Sequence, residues 1–262
     1  MSFSKFCLLS FFVRSLHNMA SYKIKPSHHF DSQVTSISHL GSTIRNITEK
    51  LNEEQLRLFR ATQFGPFLDV NLSFNGQLIH FLLLRELDIE DDDSITFRIG
   101  KVVCSFGRRE FNLVTGMWEP KSTPIRNTPE NSMRQLFFSK QTSLSVGDLE
   151  GVFLRCDGEG EEVVRLAILY LIEICLMGKD KRTKIDLKHL DLCDKWATLD
   201  GHDWGELIFR RTILGLKKAL DGRLAKGQNK ATKSKYTVVG FPHALQVCLP
   251  SFGVLFLIYN KI

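Results

Sequence analysis

Two apolar segments of the chain predict buried helices. Residues 77–87 (QLIHFLLLREL) are apolar on nearly every side, which is typical of a helix enclosed by its neighbours rather than one at the surface. The single interior histidine, His80, is therefore predicted to be a core residue rather than a ligand. Residues 163–177 form the second segment, ended by Gly178 and interrupted by Arg165 and Glu173. It is shorter than the roughly 20 residues that span a bilayer, so we expect a central buried helix and no membrane segment.

An alternating pattern between these segments predicts a β-hairpin. Apolar and polar side chains alternate over residues 95–99, apolar side chains recur at Val102, Cys104 and Phe106, and Gly100 and Lys101 form a two-residue turn with glycine first. Cys104 then lies on the buried face of a strand. This placement favours a structural role for the cysteine over a reactive one.

Two further helices have recognisable ends. Asn52 followed by Gln55 is a cap with its capping-box partner, which predicts a helix through residue 61. Gly107 with Glu110 three residues later predicts the start of a helix directly after the hairpin, and Gly116 is placed to end it.

These patterns together predict a mainly α fold of the α+β kind: a helical bundle domain with one small β-hairpin and a short extra strand. The hairpin covers 94–106 and the extra strand 236–239, and no other sheet is expected. We predict a poorly structured N-terminal leader over 1–47, a single mainly helical domain over 48–247 and a divergent apolar tail over 248–262.

The composition supports a dry, phenylalanine-rich core. Hydrophobic residues make up 43% of the 262 residues, with 20 phenylalanines against 3 tryptophans and 4 tyrosines. A buried phenyl ring needs no hydrogen-bond partner. The chain is thus long and apolar enough for a sizeable core.

The net charge of +6 is concentrated in two acid-free segments, residues 1–30 and the loop 222–235. Nucleic-acid binding through the loop is one hypothesis, and a solvated insertion is the other. A second short basic loop, 179–184 (KDKRTK), could add to that surface. The candidate nucleic-acid-binding residues are Lys226, Lys230, Lys233 and Lys235.

The residues that carry chemistry are dispersed. Six cysteines without a C-x-x-C pair indicate a reducing compartment, and the carboxylates around Cys156 are expected to raise its pKa. His189, Cys193 and His202 have the spacing of a zinc site but lack a fourth ligand. The acidic run 90–93 lacks the alternation and glycine of a calcium loop. We therefore predict no catalytic, cofactor or metal site, no cofactor and no small-molecule substrate.

Several blocks in a fixed order resemble one plant family, the domain of unknown function numbered nineteen eighty-five. The resemblance covers about residues 50–247. The last block departs from the family after Val247, and Met117 stands where leucine is usual. The matching blocks are Phe64-Gly65, the L-L-R-E helix end at Arg85-Glu86, the E-F-x-L-V-T-G signature at 110–116, the central helix at 161–180, the tryptophan-glycine block at 202–213 and the G-F-P-x-A-L-Q-V block at 240–247.

The resemblance implies a mobile-element-derived plant protein, because such genes often place this domain before a ubiquitin-like-protein cysteine protease. The protease residues belong to that downstream domain and have no counterpart here. We expect a noncatalytic interaction module that contacts protein, or nucleic acid through the basic loops, in the nucleus or cytoplasm. The alternative is a truncated N-terminal part of a SUMO-type cysteine protease without activity of its own. Organellar targeting by residues 1–18 is a lesser alternative.

Overall fold

The computed structural model describes residues 20–120, 132–139, 141–221 and 234–251. The fold is mainly helical with a small β part, as predicted. Four strands are described: β1 (Ser32–Ser36), β2 (Ser94–Ile99), β3 (Val102–Gly107) and β4 (Ser234–Val238). The helices in chain order are α1 (Leu40–Lys50), α2 (Glu53–Arg60), α3 (Gly76–Leu83), α4 (Arg108–Thr115), α5 (Met133–Phe138), α6 (Val146–Arg155), α7 (Glu161–Tyr170), α8 (Leu187–Cys193), α9 (Trp196–Gly201), α10 (Trp204–Lys217) and α11 (His243–Ser251), with 3-10 turns at Pro26–His28 and Gly65–Asp69.

The predicted helix ends are confirmed. Asn52 Oδ1 accepts a hydrogen bond from the Gln55 amide (2.9 Å), and Gln55 Oε1 accepts one from the Asn52 amide (3.1 Å), which forms the capping box of α2. The Gly107 amide donates to Glu110 Oε2 (3.0 Å) at the start of α4. Gly116 ends α4 with φ 74°, a left-handed conformation that glycine adopts without a Cβ penalty.

The hairpin is also confirmed, whereas the helix before it ends earlier than predicted. β2 and β3 are antiparallel with Ile99 opposite Val102, and Cys104 is buried opposite Phe97. α3 stops at Leu83 rather than at residue 87. The next residues instead pair with the outer edge of β2, where Leu87 N donates to Thr96 O (2.8 Å). Backbone pairing with the hairpin therefore outweighs the helical pattern of residues 84–87.

The sequence predicts a poorly structured leader over 1–47, but the described part of this range contains a strand and the start of a helix. β1 lies parallel to β4, with Ser32 opposite Ser234 and Ser36 opposite Val238, and α1 follows it. The predicted extra strand thus exists, but it belongs to a second two-stranded sheet that the sequence pattern did not indicate. β1 is a five-residue strand with one large apolar residue, Val34, and its partner lies about two hundred residues away. Residues 1–19 lie outside the described part.

The centre of the core is the helix predicted at 163–177. All residues of α7 from Val163 onward are buried, and the helix continues as a π-helical turn, Leu171–Leu176. α1, α2, α6 and α8 pack around it. Among the described residues no helix is long and apolar enough to cross a bilayer.

Candidate functional site

A buried polar cluster lies in the π-helical turn. The Glu173 side chain is fully buried, and its carboxylate accepts hydrogen bonds from Lys179 Nζ (2.5 Å) and His189 Nδ1 (2.5 Å). π-helical turns occur frequently at functional sites, so this cluster is a candidate functional site. Lys179 lies just after this turn and His189 lies in α8, so the hydrogen bonds of Glu173 connect the two segments. All three side chains are buried. The cluster therefore has the geometry of an internal structural connection.

The hypothetical zinc ligands are not brought together as a metal site. The His189 ring is hydrogen-bonded to Glu173. The Trp204 ring packs edge-on against two imidazole rings, with centroid distances of 5.9 Å to His189 and 4.7 Å to His202. Burial and then the nearby Glu173 charge raise the pKa of Cys193 well above its ordinary value. No group of three or more metal-ligating side chains occurs in the part of the chain that the structure describes.

The described thiols are poor nucleophiles. Burial raises the pKa of both Cys104 and Cys175 to about 12 and that of Cys248 higher still. The pKa of Cys156 is also raised, as predicted, but burial is the largest cause. The Asp157 carboxylate raises this pKa to a lesser extent, and the Lys50 charge lowers it. A thiolate is the reactive form of cysteine, so neutral pH leaves these thiols protonated.

The predicted basic surfaces are only partly described. Lys226, Lys230 and Lys233 lie outside the described residues, and Lys235 is an exposed residue of β4 opposite Gln33.

The second basic loop, 179–184, has internal partners for three of its cations. Lys179 is buried against Glu173, Lys181 Nζ lies 2.5 Å from Glu150, and Arg182 Nε lies 3.3 Å from Asp180. This loop lines a cavity of about 410 Å³ with the Tyr170 side chain. Pairing reduces the excess charge that the sequence pattern indicated for this loop.

A more open groove lies between α10 and β4, and we call it the α10–β4 groove. Its volume is about 530 Å³. Gly215 allows the residue after β4 to lie close to α10: a Cβ at this position would lie 2.7 Å from Val239 Cγ2 and 2.8 Å from the Val239 carbonyl oxygen. The groove is lined by Met177, Leu207, Arg210, Arg211, Leu214, Gly215, Lys218, Ala219, Asp221, Thr237 and Val239.

The helix wall of this groove mixes apolar and cationic side chains. Leu214 is 51% exposed, which is unusual for a leucine between the fully buried Ile213 and Leu216. Arg210 and Lys218 stand one helical turn before and after it and are also exposed. Sequence reasoning did not identify this surface. The available signal was the pattern of leucine and basic residues at 207, 210, 211, 214 and 218, which share one helical face.

The residues of the family-like blocks pack against one another. Phe64 meets Trp204 edge to face at 6.4 Å. A Cβ on Gly205 would lie 2.5 Å from the Met117 carbonyl oxygen, so the tryptophan-glycine block and the end of the E-F-x-L-V-T-G signature approach through this glycine. Arg108, the first residue of α4, also contacts the tryptophan-glycine block, with its Nη2 2.6 Å from Asp203 Oδ1. These positions therefore serve the fold.

The comparisons with known proteins identify a family. No curated protein and no solved structure matches the chain. The family model described as Domain of unknown function (DUF1985) matches residues 83–214, about half of the chain. The match contains the hairpin, the E-F-x-L-V-T-G signature, the central helix and the tryptophan-glycine block, whereas Phe64-Gly65 and residues 240–247 lie outside it. The chain therefore belongs to the DUF1985 family.

Proposed function

We propose that the chain is a noncatalytic interaction module and that it contacts a partner protein through the α10–β4 groove. The observation that carries this proposal is the exposure of Leu214, 51%, in a groove that also presents Arg210 and Lys218 to solvent. Leu214 lies beside Leu207 and Val239 in this groove, and an apolar patch rimmed by charged groups is a feature of protein-binding surfaces.

The surroundings of the thiols and imidazoles support a noncatalytic role. The pKa values of the described cysteines are raised, and the rings of His189 and His80 are hydrogen-bonded to other residues inside the fold. His80 Nδ1 lies 2.9 Å from the Tyr236 hydroxyl and Nε2 2.7 Å from the Phe30 carbonyl oxygen. A general base needs an accessible proton-accepting atom beside a nucleophile.

Chemical crosslinking of the full chain to nuclear and cytoplasmic extracts, followed by measurement of binding to each purified candidate, tests the proposal. We expect a saturable macromolecular ligand. Cleavage of a SUMO-type fusion substrate by the purified chain, abolished by iodoacetamide, would instead establish a cysteine protease and end the noncatalytic proposal.

Nucleic-acid contact through the 222–235 loop is a separate part of the proposal. Four lysines that each neutralise one phosphate give log K a slope of about −3.6 against log salt concentration. Titrations of duplex DNA against the wild type and against a variant with alanine at Lys226, Lys230, Lys233 and Lys235 measure this slope. An unchanged affinity in the variant eliminates the loop as the contact. Alanine at Lys181, Arg182, Lys184 and Lys188 provides a control with the same loss of charge.

We also propose, from the resemblance of the ordered blocks, an origin in a plant mobile element and a nuclear or cytoplasmic location. The alternative proposal is the front part of a SUMO-type cysteine protease. Sequencing the transcript through its 3′ end separates the two, because an in-frame protease region after the codon for Val247 supports the alternative. Imaging of a C-terminal fluorescent fusion tests the location.

A further inference from the structure

We infer that Asn75 is a site of spontaneous deamidation, in which the chain closes a succinimide at Asn75 and Gly76 and then opens it to aspartate or isoaspartate. The full sequence contains one Asn-Gly pair, and the structure places it where the loop after Val70 enters α3. The modification is a reaction of the chain with itself and with solvent water, so it is independent of the α10–β4 groove. The contacts around the helix start set its rate and its effect on the fold.

Two separate structural demands place an asparagine before a glycine at the start of α3. Asn75 is the N-cap residue, and its Oδ1 accepts a hydrogen bond from the Leu78 amide (3.0 Å). Gly76 lies against β1, where a Cβ would be 2.1 Å from the Val34 carbonyl oxygen. The cap requires a short polar side chain, and the close approach excludes a residue with a Cβ. The fold therefore keeps a dipeptide that is chemically prone to this reaction.

The reaction begins when the Gly76 nitrogen attacks Cγ of Asn75. Glycine permits this attack because it has no side chain to hinder the approach. The N–Cγ bond forms, the Cγ–Nδ2 bond breaks, and Nδ2 leaves as ammonia with the proton of the Gly76 amide. Water then opens the ring at either carbonyl: attack at Cγ gives aspartate, and attack at the main-chain carbonyl carbon gives isoaspartate. Solvent supplies this water, and no redox change occurs.

The folded conformation holds the reacting atoms apart. The ψ angle of Asn75 is 90°. In an L residue Cβ is offset by about 120° from the backbone nitrogen around the Cα–C bond, so Cγ lies over the next nitrogen when ψ is about −120°. The peptide after Asn75 must therefore rotate by about 150° before the Gly76 nitrogen reaches Cγ. This rotation moves Gly76 away from β1 and breaks the cap bond to Leu78.

Gln246 of α11 latches the loop against this rotation. Its Oε1 accepts a hydrogen bond from the Asn75 amide (2.9 Å), and its Nε2 donates one to the Ser73 carbonyl oxygen (2.8 Å). The latch is at the surface, however, since Asn75 and Ser73 are both exposed. Local openings of exposed helix ends require much less free energy than global unfolding. The succinimide therefore forms within the native ensemble, more slowly than in an open peptide.

The two products differ in their effect on α3. Aspartate at position 75 keeps the cap, because Asp and Asn are similarly good N-cap residues and a negative charge is favourable at a helix N-terminus. Isoaspartate runs the main chain through Cβ and Cγ and so lengthens it by one carbon atom. The start of α3 has no space for this atom beside Val34. Isoaspartate at position 75 therefore weakens the packing of α3 on β1.

Incubation of the full chain at neutral pH, beside a synthetic peptide of residues 70–80, tests the inference. Proteolysis followed by liquid chromatography and mass spectrometry measures the amide, aspartate and isoaspartate forms over time. We expect residue 75 to convert about ten to a hundred times more slowly in the full chain than in the peptide. Asn71 is an internal control that should convert later, since it is exposed in the same loop but is followed by Leu72.

Matched variants separate the latch from general effects. Gln246→Ala removes both latch bonds and should accelerate conversion at residue 75 at least about fivefold. Gln135→Ala removes an exposed glutamine side chain of α5 and should leave the rate unchanged. Circular dichroism establishes whether each variant is folded; if Gln246→Ala is not, the ratio of the full-chain rate to the peptide rate decides. Asn75→Asp should keep the urea midpoint of the wild type, whereas aged protein enriched in isoaspartate should unfold at a lower urea concentration.

Equal rates in the full chain and the peptide would refute control by the fold. Conversion of Asn71 before residue 75, an unchanged rate in folded Gln246→Ala, or no conversion at residue 75 long after the peptide has reacted completely would each overturn the inference. An isoaspartate form as stable as the wild type would overturn its effect on α3.

Discussion

Removal of the buried Glu173 charge is the sharpest test of how the core is held together. Glu173→Gln keeps the size of the side chain and one acceptor for His189 Nδ1, but it places a neutral amide against Lys179 Nζ. The lysine side chain is 8% exposed and the glutamate is fully buried. The substitution therefore leaves a largely buried ammonium without its counter-charge.

The expected cost follows from this burial. Breaking a buried ion pair by removing one partner destabilises a protein by about 3 to 5 kcal/mol, because the remaining charge is desolvated and uncompensated. Lys179 also lines the 410 Å³ cavity beside Tyr170, so its ammonium can partly turn toward solvent. This relief places the expected loss at the lower end, about 3 kcal/mol.

Urea denaturation followed by circular dichroism measures the free energy of unfolding. The control is Glu54→Gln, which removes the carboxylate beside Arg57; the glutamate side chain is 64% exposed and the arginine side chain 71%. An exposed pair contributes at most about 1 kcal/mol. A loss for Glu173→Gln no larger than that of the control, with an unchanged m-value, would refute the view that this cluster carries a substantial part of the stability.

Three further predictions concern local features. Burial lowers the pKa of His243 from 6.5 to about 4, so the unfolded state binds a proton first as the pH falls. The free energy of unfolding should therefore decrease by about 3 kcal/mol between pH 6.5 and 4, and His243→Phe should remove this part of the dependence in pH-resolved urea titrations. An alanine side chain would meet no neighbour within 4 Å at either Gly41 or Gly116, but only Gly116 has a positive φ. Gly41→Ala should therefore stabilise the folded protein by about 0.5 to 1 kcal/mol, because alanine favours the helical conformation of α1. Gly116→Ala should destabilise the folded protein by about 1 kcal/mol, because alanine is strained at a positive φ, and thermal or urea unfolding measures both changes. In the folded protein at neutral pH, Cys175 should resist iodoacetamide and Cys156 should react slowly, and peptide mass spectrometry that finds Cys175 labelled as fast as in urea would contradict this.

The structural features that could be predicted from the sequence depend on contacts within a few residues. The capping box of Asn52 and Gln55 closes over three positions, and the Gly100 turn joins two strands that are neighbours in the chain. The burial of His80 and Cys104 followed from the period of the apolar pattern. These interactions join residues that are close in the sequence, and therefore they form without contributions from distant segments.

Other features depended on parts of the chain that are distant in sequence. Residues 84–87 continue a helical pattern, yet they pair with β2 because the hairpin offers them an edge. β1 forms because β4 lies beside it, and no local pattern encodes that partner. The candidate groove likewise depends on the close approach of Val239 to Gly215.

The sequence by itself determined the caps, the hairpin, the central helix and the family of this protein, because each is encoded in consecutive residues. Only the tertiary structure decided that Glu173 pairs with Lys179 and His189, that three cations of the second basic loop have internal partners, and that Leu214 faces solvent between two cations. The physical reason is that burial and charge pairing are properties of the space around a side chain. That space is built by segments that meet only after the chain has folded.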